Sequence, residues 1–592
     1  MVTYIDSENL YNAYLSGARN VISNRDDLNK INVFPVADGD TGNNLSATMY
    51  SIINESRITS SVKSTLESIA DASLGGARGN SGIIFAQYMS GVSAEVANDS
   101  SISIENFATA HKNSVRYAYE AINNPVEGTM LTVIREWAHS LFDFHKKARD
   151  FSDLLSHSYS VLEESLKRTT NQLRVLKKAG VVDSGAKGFA LFIKGFMDFI
   201  KNEKTTVIEP VTDNVQNLKA SIPIHVETDF RYCVEAMLEG HGVDRENLKA
   251  VLEPLGESLI VAGNDHITRI HIHSNKPAEV FAAASEFSRI SRQKVEDMIR
   301  QSDIVEHRKH DIALVTDSIA DLPKEFLDEH QIHVVPLNII IDDTEYLDKL
   351  TIDNLKVIDQ VKNGKPFPTS PQPDTKTVEG VISYLASYYK SIIAITVAAE
   401  LSGTYNVFKG VAEKLSGPEL RITVIDSKQN SGAEGLLVIE CAKMIEEGKE
   451  HDEIVARVRE LAAKAKILVS VRNLETMIKG GRLSTSAGKI AEKLNMKPII
   501  TLDEKGKGTI GGIAFSHKGS KKQLLKRMKA VMKKSGIRIY SIVHVNNFEE
   551  AQMYAGMLED ITGMKPDNIT EASSIIAISA GDGALALSYI AN

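Results

Sequence analysis

The chain has 592 residues, of which 43% are hydrophobic and 24% are charged, and its formal net charge is −9. This composition is typical of folded globular domains and excludes a disordered or fibrous protein, while the length predicts about three to five folding units. The negative charge argues against nucleic acid as a partner of the whole chain, and no apolar run reaches the ~20 residues of a membrane span. The N-terminus lacks a secretory apolar segment, and Cys233 and Cys441 are the only cysteines, so we expect a cytoplasmic protein without disulfides.

Four regions follow one another along the chain. Apolar residues spaced by three and four predict an almost entirely helical domain over residues 1–202. A polar stretch without periodicity leads into residues 219–302, where strands such as YCVEAML and RIHIHS alternate with helices and predict a small α+β domain. Over residues 311–592, strand-like runs alternate with helical segments, which predicts a mainly parallel sheet covered by helices, in two lobes that divide near residues 448–460.

The first polar loop of the helical domain, NVFPVADGDTGNN, carries two carboxylates. Asp38 and Asp40 flank a glycine just before a helix. Mg²⁺ prefers oxygen ligands, commonly one or two carboxylates together with phosphates, and the N–H groups at the start of the helix favour a bound phosphate. Taken alone, such a loop is more often a capped turn than a metal site.

Three further glycine-bearing loops also open helices. They read GGARGNSG (75–82), PVEGTMLT (125–132) and VDSGAKG (182–188). Unhindered backbone N–H groups at a helix start are suited to phosphate or ribose contacts. We therefore expect the four loops to gather at one end of a helix bundle. None of them matches the Walker loop, which excludes a P-loop kinase.

In this order, the four motifs resemble the DhaL-type nucleotide-binding domain of dihydroxyacetone kinases and, more closely, the ATP-binding subunit of bacterial fatty acid kinases. The resemblance implies an all-α eight-helix barrel that holds ATP and two Mg²⁺ ions at one end. It makes Asp38 and Asp40 catalytic metal ligands, with Asn32 where the dihydroxyacetone kinases have a third Asp. Thr41 stands where the sugar kinases have a His. The implied nucleotide contacts are Thr41, Asn43, Asn44, Asn80, Ser81, Thr129, Asp183 and Gly185.

The middle region contains three residues of the types that bind zinc. His271 and His273 are two apart on a predicted strand and so face the same side, and Cys233 comes from an earlier strand. The residues alone leave ordinary packing as the alternative. RYCVEAM and IHIHS resemble segments of the fatty acid kinase subunit, and this resemblance implies a Zn²⁺ site without an identifiable fourth protein ligand.

Residues 311–592 resemble the DegV family through VTDSIADLP, PFPTS, ELSGTYN, VIDSKQNSG and a KGGR turn. The family binds one fatty acid in a tunnel between two lobes. Burial of the chain contributes ~0.8 kcal/mol per CH₂, and the carboxylate needs paired hydrogen bonds. The resemblance implies that Thr369, Ser370 and Ser402 hold the carboxylate and that Arg482 lies near the entrance.

Two departures from the DegV pattern leave the function of this half open. Ala398-Ala399-Glu400 replaces a usual Ser pair, and the segment from Ser579 to Gly583 lacks a usual His. The alternative is a carrier that binds lipid without presenting it for phosphorylation. The basic stretch Lys518–Lys534 is interpreted as a helix with a solvated face, with docking to an acidic protein surface or an anionic membrane as the alternative.

The predicted function is a fatty acid kinase, an ATP-dependent phosphotransferase that makes an acyl phosphate from a long-chain fatty acid held by the DegV-like half. The alternatives are a lipid-sensing protein with a regulatory nucleotide site and an enzyme of the dihydroxyacetone kinase type. The last is disfavoured because the chain contains no sequence resembling a sugar-binding half. A downstream acyltransferase, a second copy of the chain and peripheral membrane contact are the further partners expected.

Overall fold

The structure is a computed structural model that describes residues 2–34, 39–122, 125–202, 230–362, 366–418, 420–472, 475–480 and 497–592. The chain divides into two compact units, Met1–Glu306 and His307–Asn592. Among the described helices, none is long and apolar enough to cross a membrane.

The first unit begins with a helical domain, which confirms the prediction of a helical N-terminal region. Ten helices are described here, and eight of them have 15 or more residues. Asp6, Ser61, Ser103 and Asp150 each accept a hydrogen bond from the N–H three residues later, which fixes where four helices begin. The helices are α1 (Ser7–Ser23), α2 (Arg25–Lys30), α3 (Thr41–Glu55), α4 (Val62–Gly76), α5 (Gly79–Glu95), α6 (Ile104–Glu120), α7 (Met130–Phe144), α8 (Phe151–Gln172), α9 (Arg174–Ala179) and α10 (Ser184–Asn202).

These helices enclose one apolar core, in which Trp137 and Phe189 stack edge to face at 5.5 Å between ring centroids. Two short strands, β1 (Tyr4–Asp6) and β2 (Ser101–Ser103), pair antiparallel beside the helices. The predicted closure of eight helices into a barrel remains a prediction.

The first unit continues with a four-stranded antiparallel sheet. Its strands are β3 (Tyr232–Glu239), β4 (Glu257–Gly263), β5 (Ile267–Ser274) and β6 (Arg289–Asp297), in the order β4-β5-β3-β6. The helices are α11 (Arg245–Leu252), α12 (Pro277–Ser285) and α13 (Met298–Glu306). The sequence did not predict β6, because this edge strand is largely charged and lacks an apolar alternation. Ile260 and Ala262 of β4 pack against Leu74, Ile83 and Ala86 of the helical domain.

The second unit begins with a parallel sheet in the order β12-β11-β7-β8. Its strands are β7 (Ile312–Asp317), β8 (His333–Val335), β11 (Ser391–Thr396) and β12 (Arg421–Asp426), and a hairpin of β9 (Asn338–Ile341) and β10 (Thr344–Leu347) stands apart. The helices of this part are α14 (Lys324–Glu329), α15 (Asn354–Lys362), α16 (Thr375–Ala386) and α17 (Thr404–Leu415).

A second sheet has the order β15-β14-β13-β18-β16-β17. Its strands are β13 (Ala465–Ser470), β14 (Lys497–Leu502), β15 (Gly508–Ala514), β16 (Ile537–His544), β17 (Ile569–Glu571) and β18 (Leu585–Ala591). The prediction of a mainly parallel arrangement is wrong for this sheet, because the last strand, β18, lies between β13 and β16 and runs antiparallel to both. The remaining helices are α18 (Ser431–Glu446), α19 (His451–Lys464), α20 (Glu475–Lys479), α21 (His517–Lys534), α22 (Phe548–Thr562) and α23 (Ser574–Ala580).

Helix α18 belongs to the cores of both sheets. Its side chains form one apolar cluster with Ile393 and Ile395 of the first sheet and with Ile539 and Ile590 of the second. A helix that is apolar on all sides is expected in such a position, and 13 of the 16 residues of α18 are buried. The α/β prediction for this half is confirmed, and the two sheets form its two lobes.

Candidate functional site

Three of the four glycine loops contact one another directly. Gly79 has a positive φ of 56°, and a Cβ atom at this position would lie 2.4 Å from Nδ2 of Asn44 in the first loop. A Cβ atom at Gly185 in the fourth loop would lie 2.8 Å from Oγ of Ser81 in the second. The positive φ at Gly79 favours glycine, whereas a side chain at Gly185 would displace the Ser81 hydroxyl, and the contacts bring Asn44, Ser81 and Gly185 together.

Asp183 joins the third loop to the fourth. Its side chain accepts hydrogen bonds from the backbone N–H of Ala186, at 2.8 Å, and of Met130. Burial raises the pKa of Asp183 to about 6, although both hydrogen bonds act to lower it. A carboxylate held in this way fixes the starts of α7 and α10 against each other. Its predicted contact with nucleotide remains a prediction.

The first loop places Asp40 directly before α3. Oδ2 of Asp40 accepts a hydrogen bond from Nδ2 of Asn44 at 2.8 Å. Asn43 is bound within the fold, because its backbone N–H and its side-chain oxygen both pair with Asn29 at 3.1 Å. Asn32 is buried, and Asp38 lies outside the described residues.

The other predicted nucleotide contacts lie at helix starts. Thr41 is buried as the first residue of α3, and Asn80 is in the first turn of α5. Oδ1 of Asn80 is buried and has no hydrogen-bond partner among the described residues. Thr129 precedes α7, and its hydroxyl donates to the carbonyl oxygen of Val126 at 2.7 Å.

Cys233, His271 and His273 come together on the sheet of the first unit. Cys233 pairs opposite His273 in the β3–β5 ladder, and the ligand atoms of the three residues all lie within 4.8 Å of one another. Sγ of Cys233 is 3.8 Å from Nδ1 of His271, and Nδ1 of His273 is buried without a partner in the described chain. Burial lowers the pKa of His273 to about 3 and raises the pKa of the Cys233 thiol well above its usual value. A neutral imidazole is the form that binds a metal, and a bound ion would supply the charge that stabilises the thiolate.

Glu235 connects this group to the glycine loops. Its Oε1 accepts a hydrogen bond from the backbone N–H of Gly79 at 3.0 Å and lies 3.6 Å from Nδ1 of His271. Burial acts to raise the pKa of Glu235, yet the hydrogen bond with His271 and the charge of Lys294 hold it well below its ordinary value. Glu235 therefore carries a buried negative charge beside the start of α5, where Asn80 and Ser81 lie.

Arg269 attaches the same sheet to the turn before α5. Its guanidinium donates to the carbonyl oxygens of Leu74, Gly75 and Ala77 at 2.9, 3.0 and 2.6 Å. The side-chain oxygen of Gln87 in α5 accepts the backbone N–H of Gly263 at 2.7 Å. Sequence reasoning missed both Arg269 and Glu235. The pattern that could have revealed them is the two-residue period of a strand, because Arg269 shares a strand face with the two histidines and Glu235 shares one with Cys233.

The second unit has a narrow cavity of about 90 Å³ between its two lobes. Ser370 and Ser402, predicted to hold a carboxylate, both line it, and so does Ser579, from the segment that lacks the usual His. Asn430 lines it as well and was missed. Its Oδ1 is buried without a hydrogen-bond partner among the described residues. The apolar lining comes from both lobes and includes Leu337, Val397, Ile467, Met477, Ile500 and Ile575.

The other two residues predicted around this carboxylate are placed differently. Thr369 is exposed, and its backbone N–H and carbonyl oxygen pair with Ile340 at 3.1 and 2.8 Å. It is not among the residues that line the cavity. Arg482 lies outside the described residues.

Buried carboxylates fix one wall of the cavity in place. Asp348 accepts the hydroxyl of Ser318 at 2.7 Å and the backbone N–H of Ser574 at 2.8 Å. Burial raises its pKa to about 6. Asp321 accepts the backbone N–H of Ser573 in the same way, also at 2.8 Å. These bonds attach the start of α23, which lines the cavity, to the segments that follow β7 and β10.

Three family models match the chain, in sequence order and without overlap. The DAK2 domain model matches residues 35–198. The FakA-like middle-domain model, which is named for a fatty acid kinase, matches residues 229–305. The model of the DegV family, described as uncharacterised proteins, matches residues 311–592.

The relatives similar to this chain include staphylococcal proteins described as uncharacterized. One from Staphylococcus epidermidis is 31% identical over 391 residues, which cover 61% of this chain and 69% of that protein. One from Staphylococcus saprophyticus is 33% identical over 322 residues, which cover 52% of this chain and 58% of that protein.

Two solved DegV proteins are similar to part of the chain. A DegV fatty acid binding protein from Bacillus subtilis is 24% identical, with a TM-score of 0.44, and the match covers 48% of this chain and all of that one. A DegV family protein from Thermus thermophilus, described as binding fatty acid, is 26% identical, with a TM-score of 0.43 and coverages of 48% and 99%.

The fold and the matching models define the class of the protein, which is a DAK2 domain joined to a FakA-like middle domain and a DegV domain in one polypeptide. The chain belongs to the same family as its Staphylococcus epidermidis relative, and its domain order is that of a FakA-like protein joined to a DegV domain in one polypeptide.

Proposed function

We propose that this protein is an ATP-dependent kinase that transfers a phosphoryl group to the carboxylate of a long-chain fatty acid and so forms an acyl phosphate. The observation that carries the proposal is the direct contact between the glycine loops, Asn44 with Gly79 and Ser81 with Gly185, inside the region matched by the DAK2 model. The adjoining middle domain, whose model is named for a fatty acid kinase, supports the choice of acceptor.

The loops offer what a phosphoryl group needs. Apart from the N–H groups of Asn43 and Gly79, which are bound to Asn29 and Glu235, the N–H groups at the starts of α3 and α5 would provide hydrogen-bond donors and the positive end of each helix dipole. Asp40, with Asp38 before it in the sequence, would hold Mg²⁺ ions, which neutralise charge on the transferred phosphoryl group. The hydrogen bond from Asn44 to Oδ2 of Asp40 fixes the orientation of that carboxylate at the start of α3.

In the proposed reaction, a carboxylate oxygen of the fatty acid forms a bond to the γ-phosphorus of ATP. The bond between that phosphorus and the oxygen bridging to the β-phosphate breaks, and its electron pair leaves with ADP. An ionised carboxylate has no proton to lose, so no general base is required. The task of the protein is to position the two anions and to stabilise the charge that develops between them.

Two further assignments belong to the proposal. Cys233, His271 and His273 would hold a zinc ion, and the buried Nδ1 of His273, which lacks a partner among the described residues, fits that role. In the second unit, the hydroxyls of Ser370 and Ser402 would hold the fatty acid carboxylate while the apolar lining receives the chain. The acyltransferase partner, the homodimer, the membrane contact and the cytoplasmic location expected from the sequence remain predictions.

The proposal is tested with the full-length protein, ATP, Mg²⁺ and palmitate. We expect ADP release that depends on palmitate and an acyl phosphate trapped by hydroxylamine. Asp40→Asn should lower turnover at least about a hundredfold, since it removes a charge from the phosphoryl site. Asp27→Asn is the matched control, because Asp27 is an exposed carboxylate of the same domain that pairs with Lys30 at 2.9 Å.

The same assay decides between the enzyme and its alternatives. Equal ADP release with and without palmitate in the wild type would overturn the proposal and leave the lipid-sensing alternative with a regulatory nucleotide site. Phosphorylation of dihydroxyacetone in place of palmitate would favour an enzyme of the sugar kinase type.

A further inference from the structure

Helix α21 of the second unit presents a row of lysines along one side. The helix contains no acidic residue. Five of its exposed lysines are spaced by four, four, three and four residues, and residues three or four apart lie one above another on a helix. They therefore form one stripe, about 22 Å long at a rise of about 1.5 Å per residue. This lysine stripe consists of Lys518, Lys522, Lys526, Lys529 and Lys533.

The other side of α21 is fixed in the fold. Leu524 and Met528 are buried in the apolar cluster that the helix shares with the second sheet. Arg527 donates to the carbonyl oxygen of Gly511 on the edge strand β15. The apolar side of the helix is thus occupied, and the lysine stripe is the side that faces outward.

The lysines of the stripe are not paired within the protein. None of the five has a hydrogen-bond or ion-pair partner in the ranges that the structure describes. Lys521, which lies off the stripe, pairs with Glu550 of α22 at 2.8 Å. Like charges three and four residues apart on a helix repel one another, and an anionic partner would relieve this repulsion. The stripe is a local concentration of positive charge in a chain whose net charge is −9.

An exposed apolar group lies directly before the stripe. Phe515 is 76% exposed and precedes Ser516, whose side chain accepts the N–H of Gly519 at 3.0 Å and so caps the start of α21. Ile513, near the end of β15, is 40% exposed. A basic helix face next to exposed apolar side chains has the two properties that binding to a lipid interface requires, which are positive charge and a group that enters the apolar boundary.

The residue types favour lipid headgroups over other anions. Lysine is a hydrated point charge on a flexible stem, which suits mobile headgroups, whereas the planar guanidinium of arginine suits phosphates held in a fixed geometry. The stripe contains only lysine, since Arg527 is bound to β15. Phe515 gains from burial in the boundary of a bilayer, and a purely ionic contact with nucleic acid or an acidic protein surface would leave it in water.

The strands before α21 connect this surface to the lipid cavity. Strands β14 and β15 contribute Ile500, Leu502 and Gly508 to the cavity, and β15 continues through Ile513 into Phe515. A membrane bound at Phe515 would therefore contact an element that also forms a wall of the cavity.

We propose that the lysine stripe, together with Ile513 and Phe515, is a docking surface for an anionic lipid membrane. The ammonium groups lie against the headgroups, and Phe515 enters the boundary between headgroups and acyl chains. This inference adds a partner to the proposed function, because a membrane is a source of long-chain fatty acid, and it does not depend on phosphoryl transfer.

The test is sedimentation of the full-length protein with vesicles in the absence of ATP. One set of vesicles is made of phosphatidylcholine and the other contains phosphatidylglycerol as well. The wild type should bind the anionic vesicles and not the neutral ones, and binding should weaken as salt rises to about 0.5 M, because exposed charges are screened. Lys526→Gln combined with Lys529→Gln should weaken binding about twentyfold, since each lysine near an anionic surface contributes about fivefold.

Three further variants separate charge from shape. Lys526→Arg combined with Lys529→Arg keeps both charges and should bind as the wild type does. Lys376→Gln combined with Lys409→Gln removes two exposed lysines of the other lobe and is the matched control. Phe515→Ser should weaken binding about tenfold without changing its salt dependence. All of these side chains are exposed, so the fold is expected to hold, and thermal unfolding checks that it does.

The inference is overturned if the wild type binds neither set of vesicles or binds both equally. It is also overturned if the Lys526→Gln, Lys529→Gln variant binds as the Lys376→Gln, Lys409→Gln control does. Binding to heparin or DNA that the first pair weakens, without vesicle binding, would assign the stripe to another polyanion and remove the membrane. Since the vesicle assay contains no ATP, its failure leaves the kinase proposal standing, and absence of palmitate-dependent ADP release leaves the docking surface standing.

Discussion

Replacement of Arg269 by methionine tests whether the middle domain holds the glycine loop of residues 75–82 in place. Arg269 is 8% exposed and donates three hydrogen bonds to the carbonyl oxygens of residues 74, 75 and 77. Methionine fills a similar volume and removes all three donors. The carbonyl oxygen of Ala77 then loses its charged donor directly before the start of α5, while those of Leu74 and Gly75 keep only their 3.3 Å bonds from the Ala77 N–H and from Arg292.

The magnitude follows from these bonds. A hydrogen bond from a charged donor contributes about 1.5–3 kcal/mol, but burial of a guanidinium costs part of that gain, and three bonds from one side chain do not add. We expect the first unit to lose about 2–4 kcal/mol of unfolding free energy, which for its size lowers its unfolding temperature by roughly 3–6 °C. Nucleotide affinity should fall by about tenfold, since the N–H groups of Asn80 and Ser81 are then less firmly oriented.

Calorimetric unfolding and titration with ATP and Mg²⁺ measure the two effects. Arg269→Lys is the matched control, because it keeps the charge but has one donor group in place of the planar fork, and it should lie between wild type and Arg269→Met. If Arg269→Met unfolds at the wild-type temperature and binds ATP as the wild type does, the middle domain does not hold the glycine loop of residues 75–82 in place.

Two further predictions concern the metal group and the buried carboxylates. Protein purified without a histidine tag should contain close to one zinc per chain. Cys233→Ser should lose most of this zinc, because a hydroxyl replaces the thiolate ligand. Equal metal content in both proteins would mean that Cys233 is a packing residue and not a ligand. Burial raises the pKa of Asp348 from 3.8 to about 6, so between these pH values the folded state holds a proton that the unfolded state has lost. The contribution of this group to folding stability is therefore lost as pH rises from about 4 through 6. The loss is at most about 3 kcal/mol. Asp348→Asn, which can still accept from Ser574 and donate to Ser318, should show a smaller loss of denaturation free energy over that range, and an unchanged slope would contradict the assigned pKa.

The sequence predicted the glycine loops because their residue types carry the signal. Gly79 and Gly185 each stand where a side chain would overlap a neighbouring loop, and this requirement is visible as glycine in the sequence. The roles of Asn43 and Asp183 were less predictable. Asn43 pairs with Asn29, and Asp183 binds the starts of two helices, so the same residue types also serve the fold.

The second unit shows where local patterns stop being informative. Alternating strands and helices indicated α/β structure correctly, but the pairing of β18 between β13 and β16 is set by contacts far apart in the chain. Similarly, Ser370 and Ser402 reach the cavity while the neighbouring Thr369 is held outward by backbone bonds to Ile340. Which member of a Thr-Ser pair faces a cavity depends on strand register, and no pattern in PFPTS reveals it.

Glu235 shows how the middle domain can matter for phosphoryl chemistry without being the nucleotide-binding domain. One of its oxygens is 3.0 Å from the backbone N of Gly79 and 3.6 Å from Nδ1 of His271. A single buried charge is therefore shared between the glycine loop of residues 75–82 and the Cys233 group, that is, Cys233, His271 and His273. Any change in the charge of that group alters the strength with which Glu235 holds the loop. By thermodynamic reciprocity, any ligand that reorders the loop alters the Cys233 group to the same extent. The middle domain therefore fixes the carbonyl side of the α4–α5 turn through Arg269 and its N–H side through Glu235, next to the proposed phosphoryl site.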